Sequence, residues 1–287
     1  MTDIRTRNGG QLLMDSLVAL GATRGFGVPG ESYLAVLDAM VDHANAFDLV
    51  LCRQEGGAAY MAAAWGKLTG EPGLCFVTRG PGATNATVGI HTAMQDSVPM
   101  ILFVGQVGTD VMGREAFQEV DYTAFFGPLA KWAVQIDHVD RVPEIISRAW
   151  TVAMSGRPGP VVVALPEDML VGTSDRLPCD PVTIPEPAVP EAGAARMAAM
   201  LAAAERPVML VGGTRWTAGS ARALESFAAA NDVPVVAAFR FHDIIDNHCP
   251  SFVGDAGVAM NAYMKDLLRE ADLIVAINIR FGESTTD

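Results

Sequence analysis

"GLCFVTRGPGATNATVGIHTAMQDSVPMILFVG", residues 73–105, decides the fold. An apolar run, GLCFVT, stops at a glycine-rich turn, RGPGATN. The helical stretch ATVGIHTAMQDS follows, and a second apolar run, PMILFVG, closes the unit. Apolar runs without polar alternation mark strands covered on both faces, and parallel strands of that kind are joined by helical crossovers. The unit therefore reads as strand, helix, parallel strand.

The pattern repeats in both directions. Upstream, Leu12, Leu13, Leu17 and Leu20 give residues 9–20 the apolar stripe of a helix, with Gly21 as its stop. RGFGVPG is a short strand running into a turn at Pro29-Gly30. SYLAVLDAMVDH follows as a helix, FDLVLC as a strand and GAAYMAAAWGKLTG as a helix. Downstream come the helix VPEIISRAWTVAMSG and the strand GPVVVALP. Residues 175–193 are rich in proline and lack periodicity, which predicts an extended linker. Beyond it the helices ARMAAMLAAAE, SARALESFAAAN and NAYMKDLLREA alternate with the strands PVMLVGG, VPVVAAF and DLIVAIN. The expected class is α/β: a doubly wound parallel sheet with helices on both faces over residues 1–174, then a second, partial α/β domain over residues 194–287.

Bulk properties narrow the function. A formal charge of −13 opposes binding to nucleic acid or to anionic membranes. The strongest apolar run, Val98 to Val104, is interrupted by Pro99 and too short to span a bilayer. The first twenty residues resemble a signal peptide only superficially, since Asp15 splits the apolar part and no small-residue cleavage site follows. A cytoplasmic protein is expected. Cys52, Cys75, Cys179 and Cys249 lie far apart and read as free thiols, and neither they nor the scattered histidines have metal-ligand spacing.

Glu55 stands where the apolar run DLVLC gives way to GGAAYMAAA. It has two readings: a surface glutamate favoured by the dipole at a helix start, or a proton-handling carboxylate at a strand-to-helix turn. Three glycine patterns compete for attention. Residues 25–30 match GxGxxG, with Asp48 beyond, and so suggest a nicotinamide cofactor. Gly25 and Gly27 nevertheless lie within the predicted strand, and Pro29 removes an amide from any phosphate cradle. VGDAGVAMN, residues 253–261, resembles a metal–diphosphate motif, but Ala256 and the early Asn261 break the pattern, and the segment reads as a loop and helix start. LVGGTRWTAGSAR, residues 210–222, could hold a nucleotide or serve structure alone.

Read in order, GFGVPGESYLAVLDAM, RQEGGAAYMAAAWGKLTGEPGLCFVTRGPGATN, EAFQEVD and RPGPVVVALPEDM resemble thiamine-diphosphate enzymes of the acetolactate synthase type. The match runs over most of residues 9–170, and residues 195–287 resemble the start of the family's middle domain. The resemblance implies a carboligase or lyase acting on a small 2-oxo acid, working as a homodimer or homotetramer with its site shared between subunits. It implies thiamine diphosphate with Mg2+ as cofactor, and in several relatives FAD, for which Gly212, Gly213 and Arg280 sit where contacts could arise. Glu55 matches the glutamate that hydrogen-bonds N1′ of the aminopyrimidine. Pro29, Gly30 and Glu31 match the loop near that ring, and Thr78, Gly80, Pro81, Gly82 and Asn85 match the glycine-rich loop beside it. Phe117 and Gln118 match the substrate pocket, with ordinary packing as the competing reading. The small residues after Glu55 would then floor a dry cofactor pocket.

Two positions depart from the synthases. Glu167 stands where they carry Lys near the site entrance, and Glu31 where they carry Gly. The family's C-terminal diphosphate and Mg2+ domain is also absent from this sequence, so no metal ligand is assigned. The expectation is a fragment, a truncated product or half of a split enzyme, inactive alone. The alternatives are a non-catalytic nucleotide-binding or assembly module of the same fold and an NAD(P)-dependent oxidoreductase.

Overall fold

The computed structural model describes residues 6–286. They divide into two compact units, with the boundary between Glu186 and Pro187.

In the first unit the strands are β1 (Arg7–Asn8), β2 (Arg24–Gly27), β3 (Asp48–Leu51), β4 (Gly73–Val77), β5 (Met100–Gln106), β6 (Trp132–Gln135), β7 (Pro160–Pro166) and β8 (Thr173–Ser174). The helices are α1 (Gly9–Ala19), α2 (Leu34–Asp42), α3 (Glu55–Thr69), α4 (Pro81–Asp96), α5 (Tyr122–Phe126), α6 (Val142–Met154) and α7 (Glu167–Val171). Six strands form a parallel sheet in the order β3-β2-β4-β5-β7-β6, and β1 pairs with β8 in a small antiparallel ribbon. The doubly wound parallel sheet expected from the apolar runs is present. Local chemistry sets the helix ends. Asn8 and Gln11 form a capping box at α1, Pro81 occupies the first turn of α4, and α3 stops at left-handed Gly70.

Every residue of β4, β5 and β7 is buried, because both faces of the sheet are covered. Alternate side chains feed two cores. Leu74, Phe76, Ile101 and Phe103 point to the side of α1, α2 and α6, whereas Cys75, Val77, Leu102 and Val104 point to that of α3, α4 and α5. The second core is rich in alanine. A Cβ on Gly89 would lie 2.4 Å from the Ala59 Cβ, and one on Gly73 1.8 Å from the Ala62 carbonyl oxygen. This corrects the reading of GGAAYMAAA as a pocket floor: Ala58, Ala59, Ala62 and Ala63 are buried in close helix packing.

β6 was not anticipated. It is an edge strand, half-buried along its length, and so lacks the continuous apolar signal of its neighbour. Part of the proline-rich stretch is also docked. Val182 and Ile184 pack on the first core, the Cys179 amide donates to Ser16 Oγ at 3.4 Å, and a helix already begins at Glu191.

The second unit contains α8 (Glu191–Ala203), β9 (Pro207–Val211), α9 (Ala218–Ala230), β10 (Val235–Ala238), β11 (Phe252–Ala256), α10 (Ala262–Glu270), β12 (Leu273–Ile277) and α11 (Glu283–Thr286). Its parallel sheet runs β11-β10-β9-β12. The segment 253–261 is therefore not a loop throughout. It carries β11, and Asn261 caps α10 by accepting from the Met264 amide at 2.8 Å. Among the described residues, no helix is long and apolar enough to cross a membrane.

Candidate functional site

In the first sheet the chain passes from β2 to β3 on one side and returns to β4 on the other, so a topological switch lies between β2 and β4. Ligand crevices in open parallel sheets form outside the carboxyl ends of strands at such a switch. The loops after β2, β3 and β4 and the starts of the helices that follow them carry most of the candidate residues.

The loop after β2 is pinned from below. The buried Tyr33 hydroxyl donates to the Val28 carbonyl at 2.6 Å, and burial, with smaller contributions from Cys75 and Glu55, pushes its phenol above the ordinary range. Tyr33 is thus a neutral donor. Ser32 Oγ and Thr78 Oγ1 lie 2.8 Å apart, tying this loop to the end of β4. Gly30 permits the approach, since a Cβ there would be 2.5 Å from the Thr78 Cβ. Pro29 is exposed at the turn itself. Gly25 and Gly27 lie within β2 against Phe76, so the GxGxxG match is a packing pattern of a strand.

Glu55 is the first residue of α3, capped by Gln54, whose side chain accepts from the Gly57 amide at 2.9 Å. It is half-buried, and its Oε2 accepts from Asn85 Nδ2 at 3.0 Å. Gly56 brings the two helices together here: a Cβ on it would lie 3.2 Å from the Asn85 carbonyl oxygen. The other oxygen, Oε1, faces Gly82, 3.6 Å from where a Cβ on that glycine would stand. Asn85 thus fixes the carboxylate, and Gly82 lets the Thr78 methyl and the Glu55 carboxylate come close to the start of α4.

Gly80 adopts φ +56°, and its amide donates to the Tyr122 hydroxyl at 2.7 Å. A Cβ on Gly80 would approach the Gln118 Cβ to 2.8 Å, so the glycine loop rests against the segment carrying Phe117 and Gln118. Gln118 itself has φ +64°. Glu119 holds the turn before it, accepting from the Gly113 amide at 2.6 Å and the Ala116 amide at 3.0 Å. The Phe117 ring is 71% exposed and is therefore not a core residue. Pro81 is exposed and starts α4.

Arg79 is the residue that sequence reasoning missed. It is 8% exposed, yet each of its three side-chain nitrogens donates. Nε donates to the Phe117 carbonyl at 3.1 Å, Nη2 to Glu31 Oε1 at 3.1 Å and Nη1 to Glu167 Oε1. Its guanidinium also lies 6.0 Å from the centroid of the Phe117 ring. One buried cation thereby joins the segments that follow β2, β4 and β5 to the first residue of α7. The available signal was a charge placed between a buried strand and a glycine turn, together with two unexplained glutamates elsewhere.

The candidate residues form two adjoining groups. Gly30, Thr78, Gly82, Glu55 and Asn85 form one; Glu31, Gly80, Phe117 and Gln118 gather around Arg79 in the other. In the second unit, Gly213 at φ +73° closes on the chain itself: a Cβ there would lie 2.2 Å from the Asn278 carbonyl oxygen. Gly212 approaches Ala238 and Ile279, and Arg280 is exposed after β12. Among the described residues, no group of three or more His, Cys, Asp or Glu could hold a metal ion.

Residues 7–125 match the family description "Thiamine pyrophosphate enzyme, N-terminal TPP binding domain", and residues 194–287 match "Thiamine pyrophosphate enzyme, central domain". The large subunit of acetolactate synthase isozyme 2 from Escherichia coli (strain K12) is 34% identical over 97% of this chain and 50% of its own length. A probable acetolactate synthase large subunit from Methanocaldococcus jannaschii is 34% identical over 97% of the chain and 48% of its length. The mitochondrial catalytic subunit of acetolactate synthase from Saccharomyces cerevisiae is 31% identical over 97% of the chain and 42% of its length. The chain spans about half the length of the curated relatives it matches.

Proposed function

We propose a function for a chain that belongs to the thiamine pyrophosphate enzyme family: it supplies the aminopyrimidine side of a carboligase or lyase acting on a 2-oxo acid. The reading rests on one observation. Glu55 opens α3 with one carboxyl oxygen fixed by Asn85 and the other facing Gly82, at the switch point of the sheet. A planar heterocycle with a ring nitrogen to hydrogen-bond would fit that arrangement, with Thr78, Gly80 and the Pro29–Glu31 loop around it. When bound, thiamine diphosphate supplies an electron sink for making or breaking the bond next to a carbonyl. Glu55 hydrogen-bonds the ring nitrogen and so holds or moves a proton at that atom. Asn85 orients the carboxyl group, and Gly82 puts no side chain of its own beside it. Phe117 and Gln118 border the substrate.

In this reading Mg2+ and the diphosphate are held elsewhere in an assembled enzyme, whose site is completed by a second subunit. FAD binding beside Gly212, Gly213 and Arg280 is a separate proposal, tested by a flavin absorption band in the purified enzyme. For the main proposal, Glu55→Gln in the assembled enzyme should slow exchange of the cofactor's C2 hydrogen by about 10²-fold or more, the scale of a lost acid–base group. Near-normal exchange in that variant would remove Glu55 from this role.

A further inference from the structure

Resting on that reading, we propose that Arg79 is a positioning residue: its guanidinium fixes the Phe117–Gln118 segment against the glycine loop, so that the segment assigned to the substrate is held by the loop assigned to the cofactor. The segment needs such a hold. Glu115 has φ +56° and Gln118 φ +64°, and non-glycine residues keep such backbone only where their surroundings over-determine it. Neighbours on both sides of Phe117 do so. Glu119 accepts from the Gly113 and Ala116 amides, Gln106 Nε2 donates to the Val120 carbonyl at 2.8 Å, and the Gln118 backbone rests on Gly80. At Phe117 itself the ring is largely exposed, and Arg79 Nε holds the carbonyl at 3.1 Å. The rest of the guanidinium keeps that donor aimed. Nη2 donates to Glu31 and Nη1 to Glu167, two carboxylates that reach in from the surface and offset the burial of the cation. With both amino groups tied, the planar fork can present Nε in one direction only. A lysine ammonium would keep the charge between the carboxylates but has no such fork, so Arg79→Lys separates charge from position.

Three measurements test this. In the assembled enzyme, with pyruvate as the 2-oxo acid, Arg79→Lys should raise KM about tenfold and leave the cofactor's C2–H exchange within about twofold of wild type. A displaced segment loses substrate contacts but not the Glu55 chemistry, whereas general damage to the fold would slow both. A KM that does not move, or an exchange rate that falls with it, therefore overturns the proposal. The second measurement places 4-fluorophenylalanine at position 117 alone in the 287-residue chain. The wild type should give one narrow fluorine resonance and Arg79→Lys a shifted, broadened one; identical resonances overturn the proposal. The third needs no variant, and so stands even if Arg79→Lys does not fold. In the wild type the Arg79 Nε–H should exchange with solvent at least about tenfold more slowly than those of the exposed Arg114 and Arg176. Equal rates would mean that the Phe117 bond does not persist, and would overturn the proposal as well. Failure of the underlying function has a different signature: Glu55→Gln would leave exchange intact. In that case the fluorine resonance still decides whether Arg79 holds the segment.

Discussion

The turn after β4 and the turn after β9 look alike. Each follows a buried parallel strand beside the point where the strand order of its sheet reverses, each has a glycine at positive φ, and each leads into a helix. Their neighbours differ. At Gly213 the close contact is backbone, the Asn278 carbonyl, and the Asn278 side chain donates to the Thr214 carbonyl at 2.8 Å. At Gly82 the neighbours are a Thr78 methyl at 2.9 Å and the Glu55 carboxylate. The second unit uses its glycine to pack chain against chain. The first also rests Gly80 on the Gln118 backbone, but at Gly82 it gathers side chains, a threonine and the Glu55 carboxylate. A glycine-rich turn at a switch point is thus only permission for a site; the side chains around it decide whether there is one.

The largest test of that contrast concerns Arg79. Glu31→Gln or Glu167→Gln alone should shift stability by less than about 1 kcal/mol, because each carboxylate is substantially exposed and the other remains. The double substitution leaves a buried guanidinium without an anion and should cost about 3 kcal/mol in the urea unfolding of the first unit. Additive behaviour in that double-mutant cycle would mean that the two glutamates do not share one cation.

Glycine replacements give the next largest effects. Gly213→Ala places a Cβ at φ +73° and 2.2 Å from a carbonyl oxygen, so the second unit should lose about 2 kcal/mol or more. Gly82→Ala meets the Thr78 methyl, a side-chain rather than a backbone atom, and its helical position favours alanine, so it should cost less than Gly213→Ala, about 1 kcal/mol. Under the proposed function, Gly82→Ala should nevertheless weaken thiamine diphosphate binding in the assembled enzyme. A large melting-temperature drop for Gly82→Ala, or none for Gly213→Ala, would reverse the comparison.

The sequence made some of these features legible and hid others for physical reasons. β4, β5 and β7 could be read because strands buried on both faces must be apolar throughout. β11 was missed because Gly254, at φ +134°, and Asp255 interrupt its apolar run. The alanines of α3 were legible as small but not as helix contacts, since that depends on Gly89 and Gly73 arriving from other elements. Glu55 stood out because a strand ends beside it. Arg79 did not, because its carboxylate partners lie 48 and 88 residues away in the chain. Glu31 and Glu167 were visible as departures from the family pattern, but their meeting on one cation is a property of the fold.

The smallest expected effect concerns acid. Asp168 and Asp272 each tie a loop in their own unit. Asp168 accepts from the Thr109 amide at 3.0 Å and from the Thr109 hydroxyl, and Asp272 accepts from the amides of Glu205 at 2.7 Å and Arg206 at 2.9 Å. Burial works to raise Asp168, but the hydrogen bonds from Thr109 and from the Met169 and Asp168 amides together outweigh it and hold the carboxyl below its ordinary range; the amides of Glu205 and Arg206 do the same for Asp272. A carboxyl lowered in the folded state binds its proton more readily when unfolded. Its stabilising contribution is therefore present above the unfolded value of about 3.9 and is lost as pH falls through the folded one. Both units should soften below about pH 4, whereas near neutral pH the contribution of these groups is full and does not vary with pH. Thr109→Val removes the hydroxyl bond from Asp168 alone. It should cost less than about 1 kcal/mol at neutral pH, given solvent screening, and flatten the acid limb of the first unit while leaving that of the second unchanged. Urea midpoints measured for each unit from about pH 6 down to pH 3 would check this. If the variant's first unit softened in parallel with the wild type's, Asp168 would not be a source of its acid sensitivity.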